Sequence, residues 1–196
     1  MSRGAGGRRA VLIALAATWV GCHARKAAAQ AGPPHLRIGD AVPDLAAKTS
    51  GGDTVRLGAL RGQVLIVNFF ASYCAPCRTE LPLLGELTER LAAEARLQPG
   101  RPQPRLLPVG VDARPEDAAR FAASLGVKAA VLLDPGGVVR TAFDPQRYPC
   151  TFLIDSEGVV RHINRGFGPG YPARMERWLR ALLALPPPPT ERRAPP

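Results

Sequence analysis

The sequence predicts an α/β fold: a mixed central sheet with helices on both faces and a β-hairpin at the N-terminal end. Three observations predict it. Strand-like and helix-like apolar patterns alternate through the middle of the chain, and the last two strand-like stretches close as an antiparallel hairpin. A Cys-x-x-Cys pair, Cys74 to Cys77, stands where the most apolar strand gives way to a helix.

Taken in order, short apolar stretches between Ala41 and Leu60 flank Ser50-Gly51-Gly52-Asp53, a hairpin signal. Val64 to Phe70 is an unbroken β-prone run, the pattern of a strand buried on both faces. From about Ala75 to Leu97, Leu83, Leu84, Leu87, Leu91 and Ala95 recur at helical spacing. Arg105 to Val111 predicts a second strand ending at Asp112. Pro115 opens a helix that runs to Leu125, at a position where its missing N–H costs little. A short strand over Ala130 to Leu133 and a short helix over Gly137 to Phe143 follow. Thr151 to Asp155 and Val159 to Asn164 form a hairpin around Ser156-Glu157-Gly158. Ala173 to Leu185 is the last amphipathic helix. No internal repeat is present.

The 196 residues suit one domain, read as 41–185, with additional segments at either end. Residues 1–29 read as a signal peptide. Arg8 and Arg9 precede an apolar run from Ala10 to Val20, too short to span a bilayer at about 20 residues, and Ala27 and Ala29 precede a cleavage point. A lipoprotein signal ending before Cys22 is the alternative, since Gly21 fits that site and Trp19 does not. Residues 30–40 read as a linker and 186–196 as a Pro-rich disordered tail. Either signal puts the domain outside the cytoplasm, in the periplasm or an equivalent space, where disulfides persist. The net charge is +10. Five of the basic residues lie in 1–29, which holds no acid, leaving 21 basic against 16 acidic in the remainder. Without a basic stripe carrying interleaved aromatics, nucleic acid is not an expected partner.

Cys74-Ala75-Pro76-Cys77 sits at a strand-to-helix junction, where two intervening residues let the sulfurs bond across a first helical turn. Unpaired N–H groups and the positive end of the helix dipole favour a thiolate at Cys74. Cys77, further in, can resolve a mixed disulfide. The competing readings are zinc, which needs a second ligand pair that Cys150 and His162 do not supply, and a structural disulfide, whose short loop would contribute little cross-linking entropy. No cofactor and no metal are expected.

The stretch Asn68-Phe69-Phe70-Ala71-Ser72-Tyr73-Cys74-Ala75-Pro76-Cys77-Arg78-Thr79-Glu80-Leu81-Pro82 resembles the active site of TlpA/ResA-type thioredoxins. Tyr148-Pro149-Cys150-Thr151-Phe152-Leu153-Ile154-Asp155, followed by Gly158, resembles their second signature. The resemblance spans about residues 36–184 and implies an exported thiol–disulfide oxidoreductase of thioredoxin-like fold. It implies a cis peptide before Pro149 facing the disulfide, a helix kink at Pro82 and a proton-handling acid at Glu80. Glu80 follows Cys77 by three residues and so shares its helix face. Asn68 takes the strand position where cytoplasmic thioredoxins carry a buried Asp. Cys74, Cys77 and Glu80 are thus the expected catalytic residues, and Tyr73, Ala75, Pro76, Tyr148 and Pro149 the expected substrate contacts. Tyr73 replaces the family's usual Trp, and Cys150 replaces its usual Thr. Cys150 reads as a small strand residue, with a trap for Cys74 or an oxidation sensor as the alternative; His162 reads as a surface residue.

Ala75-Pro76 carries no cation or His to favour the reduced form, so a reducing couple is expected. The resemblance implies electrons from a membrane thiol transporter and protein substrates such as apocytochrome c or copper-site proteins, with a lipid anchor at Cys22 as an option. Two other functions compete. A thiol peroxidase needs Thr or Ser three residues before its reactive Cys, where this chain has Ala71. A copper-delivery module uses Cys-x-x-x-Cys and a distant His; the cysteine spacing here is one shorter.

Overall fold

The computed structural model of this chain describes Met1 and residues 35–187. The predicted signal segment, Cys22, the first part of the linker and most of the tail lie outside the described residues. The elements are β1 (Ala46–Thr49), β2 (Thr54–Arg56), a 3-10 turn (Leu57–Leu60), β3 (Val64–Phe70), α1 (Cys77–Arg96), β4 (Pro104–Gly110), α2 (Pro115–Ser124), β5 (Leu132–Leu133), α3 (Val138–Phe143), β6 (Cys150–Ile154), β7 (Val160–Arg165) and α4 (Tyr171–Leu182). The seven strands form one mixed sheet in the order β2-β1-β5-β4-β3-β6-β7. β3, β4 and β5 run parallel; β6, β7 and the β1–β2 hairpin pair antiparallel.

All seven residues of β3 are buried, because it is a central strand covered on both faces. Val64 and Ile66 pack with Leu84 and Leu91 of α1 and Met175 and Leu179 of α4. Leu65, Val67 and Phe69 face the other way, into the cluster that holds Val139 and Phe143 of α3. There Phe69, Phe143 and Phe152 meet edge-on or tilted, with centroids 5.0 to 5.9 Å apart. α2 closes on the end of β4: Phe121 stacks on Phe70, and a Cβ at Gly110 would lie 2.4 Å from the Cβ of Ala118.

The element order matches the sequence reading; several boundaries differ. α1 begins at Cys77 rather than near Ala75, because Cys77 and Arg78 donate three residues back, to Cys74 and Ala75, in a tight turn before regular helix starts. α4 begins at Tyr171 and ends at Leu182, earlier at both ends than expected; Pro172 occupies its first turn, and Leu185 N–H turns back to the Arg180 carbonyl. Residues 36–40, assigned by sequence to the linker, are part of the fold. Leu36 is buried and donates to the Ala142 carbonyl, and Gly39 donates to Val160.

Gly110→Ala should destabilise the fold by about 1–3 kcal/mol, since the added methyl meets a Cβ fixed to a helix backbone and not a side chain that can swing away. Urea midpoints measure it. The double change Gly110→Ala/Ala118→Gly should recover part of the loss, because the two sites share one contact.

Candidate active site

Strand register assembles the site. Phe69 of β3 pairs with Cys150 of β6, so Pro149 is level with Phe70 at the end of the sheet where β3 leads into the cysteine turn. The Tyr148–Pro149 peptide is cis, as the resemblance implies. Gly166, just after β7, donates to the Pro149 carbonyl.

Cys74 and Cys77 form a disulfide. Their settings differ: Cys74 is 8 % exposed and Cys77 is fully buried. An attacking thiolate from outside therefore reaches Cys74 first. Tyr73 (75 % exposed), Ala75 and Pro76 form the surface around it. The turn is fastened from beneath by Asp112, just beyond β4. Its carboxylate accepts the Ser72 N–H at 3.1 Å and the Ser72 hydroxyl at 2.5 Å. Sequence reading placed Asp112 only at a strand end; an acid where a parallel strand meets its loop was the available signal.

Glu80, one turn into α1, is completely buried. Oε1 accepts three hydrogen bonds, from Asn68 Nδ2 at 3.3 Å, from Thr151 Oγ1 at 2.6 Å and from the Tyr171 hydroxyl. Asn68 Nδ2 also donates to Thr151 Oγ1 at 2.9 Å. Asn68 and Thr151 are directly opposed across β3 and β6, which is why they share a face. Oε2 has no partner, and neither has Asn68 Oδ1. Burial pushes the Glu80 pKa up to about 7, against the opposing pull of the Thr151 and Tyr171 hydrogen bonds. Burial first, and then the Glu80 charge, push the Tyr171 phenol upward too, so it stays a donor. A carboxyl group poised near neutrality, three residues along a helix from Cys77, can take up and return a proton. The sequence located Glu80 and Asn68. It missed Thr151, which only the register reveals, and Tyr171, which comes from 91 residues away.

The remaining candidates separate. Tyr148 is half-buried, and Pro149 is buried beside Cys150. Cys150 is fully buried on the Phe69 face, and desolvation pushes its thiol up to about 12. His162 is not a free surface group: it stacks on Trp178 at 4.4 Å, and burial lowers its pKa. Among the described residues, no group of three His, Cys, Asp or Glu side chains could hold a metal.

Residues 38–163 match the AhpC/TSA family. Over 131 residues the chain is 28 % identical to the thioredoxin-like protein YneN of Bacillus subtilis, covering 67 % of this chain and 73 % of that one. It is 28 % identical to the thiol-disulfide oxidoreductase ResA of Geobacillus kaustophilus, covering 67 % and 71 %. Among solved structures, a Chlorobium tepidum protein assigned as thiol:disulfide interchange protein DsbE superposes with a TM-score of 0.65 at 30 % identity, over 76 % of this chain and 99 % of that one.

Glu80 makes folding pH-dependent in a defined direction. Between pH 4.5 and about 7 the native protein holds a proton that the unfolded chain has released, so stability falls as pH rises through this window and levels off above it. Relative to Glu80→Gln, the wild type should lose about 3 kcal/mol between pH 4.5 and pH 8, as measured by urea unfolding of the oxidised forms. Tyr171→Phe removes a donor that pulls the pKa down, so its stability should level off at higher pH than that of the wild type.

Proposed function

The chain belongs to the AhpC/TSA family and is a thiol–disulfide oxidoreductase; we propose that it works as a protein disulfide reductase outside the cytoplasm. The observation that carries this reading is the unequal burial of the paired cysteines beside a buried acid of near-neutral pKa. In the reduced protein, the Cys74 thiolate attacks one sulfur of a substrate disulfide. A Cys74–substrate disulfide forms and the other substrate sulfur leaves as a thiolate, which takes up a proton. Cys77 then loses its proton to Glu80 and attacks the Cys74 sulfur. The Cys74–Cys77 bond forms, the second substrate sulfur leaves, and Glu80 returns the proton to it. Two electrons pass from the cysteine pair to the substrate, and a dithiol donor must restore them.

Tyr73, Ala75, Pro76, Tyr148 and Pro149 are the proposed substrate contacts. Among the described residues, the Tyr148 backbone makes no hydrogen bond, which suits it to pair with an extended substrate segment. The proposed substrates are extracytoplasmic proteins such as apocytochrome c or copper-site proteins, and the proposed donor is a membrane thiol transporter. Export rests on the basic and apolar pattern of residues 1–29, with the signal peptide, or lipidation at Cys22, as the way out and 41–185, together with the docked residues 36–40, as the working domain. A peroxidase reading is disfavoured at Ala71, a buried methyl where a hydroxyl is needed.

Cys74→Ser should abolish reduction of insulin by a dithiol donor. Cys77→Ser should accumulate mixed disulfides visible on non-reducing gels. Full turnover by Cys74→Ser would refute the assignment. Mass spectrometry of the N-terminus after spheroplast fractionation should find the first 20–30 residues removed, roughly the length of a signal segment. An intact Met1 on cytoplasmic protein would refute export.

A further inference from the structure

Beside the cis peptide lies a groove that the disulfide chemistry does not use. Two adjoining hollows share His35, Asp144 and Gln146. One reaches Tyr148 and Arg140 of α3, and the other reaches Arg37 and Arg165 at the end of β7. Tyr148 packs on the cluster that contains Cys74, and Arg165 pairs across the sheet with Cys150, so the groove adjoins the site. Arg147 stands on the same loop, between Gln146 and Tyr148.

The charge here is unbalanced. Arg37, Arg140, Arg147 and Arg165 are all exposed, and none forms an ion pair among the described residues. Some basic side chains elsewhere are neutralised, Arg90 by Glu176 and Arg180 by Glu94 and Glu176, whereas here four guanidinium groups are gathered around one acid. The groove's one acid, Asp144, is engaged by His35 at 2.9 Å. Three of the lining residues, His35, Asp144 and Gln146, hold positive φ, a conformation that fixes a loop at some conformational cost. The chain's own remaining segments do not complement this surface. Residues 2–34 carry no Asp or Glu, and residues 188–196 carry one, Glu191, beside Arg192 and Arg193.

We propose that this arginine-lined groove receives an acidic segment of the substrate protein, adjoining the cysteine that Cys74 attacks. The proposal names the substrate class for the reductase reading above and rests on it. A substrate strand laid along Tyr148 would carry its flanking residues into the groove. Carboxylates there would meet guanidinium groups able to bind them with two hydrogen bonds each. Exposed pairs of this kind act mainly on encounter rate and partner choice, and salt weakens them.

The test has a binding arm and a turnover arm. In the first, a fluorescein-labelled, cysteine-free peptide rich in Glu, or its Lys counterpart, is titrated with oxidised full-length protein and followed by anisotropy. The Glu peptide should bind at low salt, at least about fivefold more tightly than to Arg140→Glu/Arg165→Glu or Arg37→Glu/Arg147→Glu, and release near about 0.5 M salt. Arg96→Glu/Arg101→Glu makes the same change in net charge away from the groove and should bind like the wild type. Equal binding of both peptides, or an equal loss in the distant variant, overturns the proposal. In the second arm, the reduced wild type is given disulfide peptides flanked by Glu or by Lys, and the neutral bis(2-hydroxyethyl) disulfide. Higher kcat/KM for the Glu-flanked peptide is expected, with the ratio collapsing in the groove variants. Reduction of all three without preference overturns the groove and leaves the reductase reading standing. Binding of the Glu peptide with no reduction of any disulfide overturns the reductase reading and leaves the groove standing.

Discussion

A single buried carboxyl group joins four elements of the fold one helical turn from the cysteine pair. Glu80 is where α1, β3, β6 and the start of α4 converge, each through one side chain. A charge taken out of water this completely needs compensation, and the donors provided are neutral. All three converge on Oε1, leaving Oε2 and Asn68 Oδ1 as acceptors without a donor. The cluster is therefore short of hydrogen, and an added proton is the natural supplement. The same accounting explains why burial outweighs two strong hydrogen bonds in setting the pKa near 7. A site built for stability alone would have an apolar residue here, since replacing buried charge by well-packed apolar groups is often stabilising. Retaining the acid makes sense if the protein needs a group that changes protonation beside Cys77.

The sequence made this legible to different depths. The Val64–Phe70 run, the leucine spacing of α1 and the Cys-x-x-Cys junction carry periodicity and motif, which are local signals, and they located the central strand, its helix and the disulfide. The terminal hairpin was legible for the same reason. The partners of Glu80 were not, because a hydrogen bond spanning 71 or 91 residues depends on register and helix docking that no local pattern encodes. The helix starts shifted because Pro76 and Pro172 each shape a first turn whose onset apolar spacing does not mark. Leu36 reads as linker because two apolar residues, Leu36 and Ile38, are too short a pattern to establish a period, and only Leu36 is buried; it is held against α3, far along the chain.

The contrast between Cys74 and Cys150 shows how the fold directs reactivity. Both belong to one buried cluster, and both lie at the same end of the sheet. Cys150 is within β6, on the same sheet face as Phe69 and with its thiol shut off from water, so forming a thiolate there is opposed chiefly by desolvation. Cys74 lies past the end of β3, in a turn fastened by the Ser72–Asp112 bonds and just ahead of a helix whose first N–H groups favour negative charge. An oxidant or substrate arriving from solvent therefore meets one sulfur and not the other, although both belong to the same cluster. Thiolate access, rather than the number of cysteines, decides which of them does chemistry.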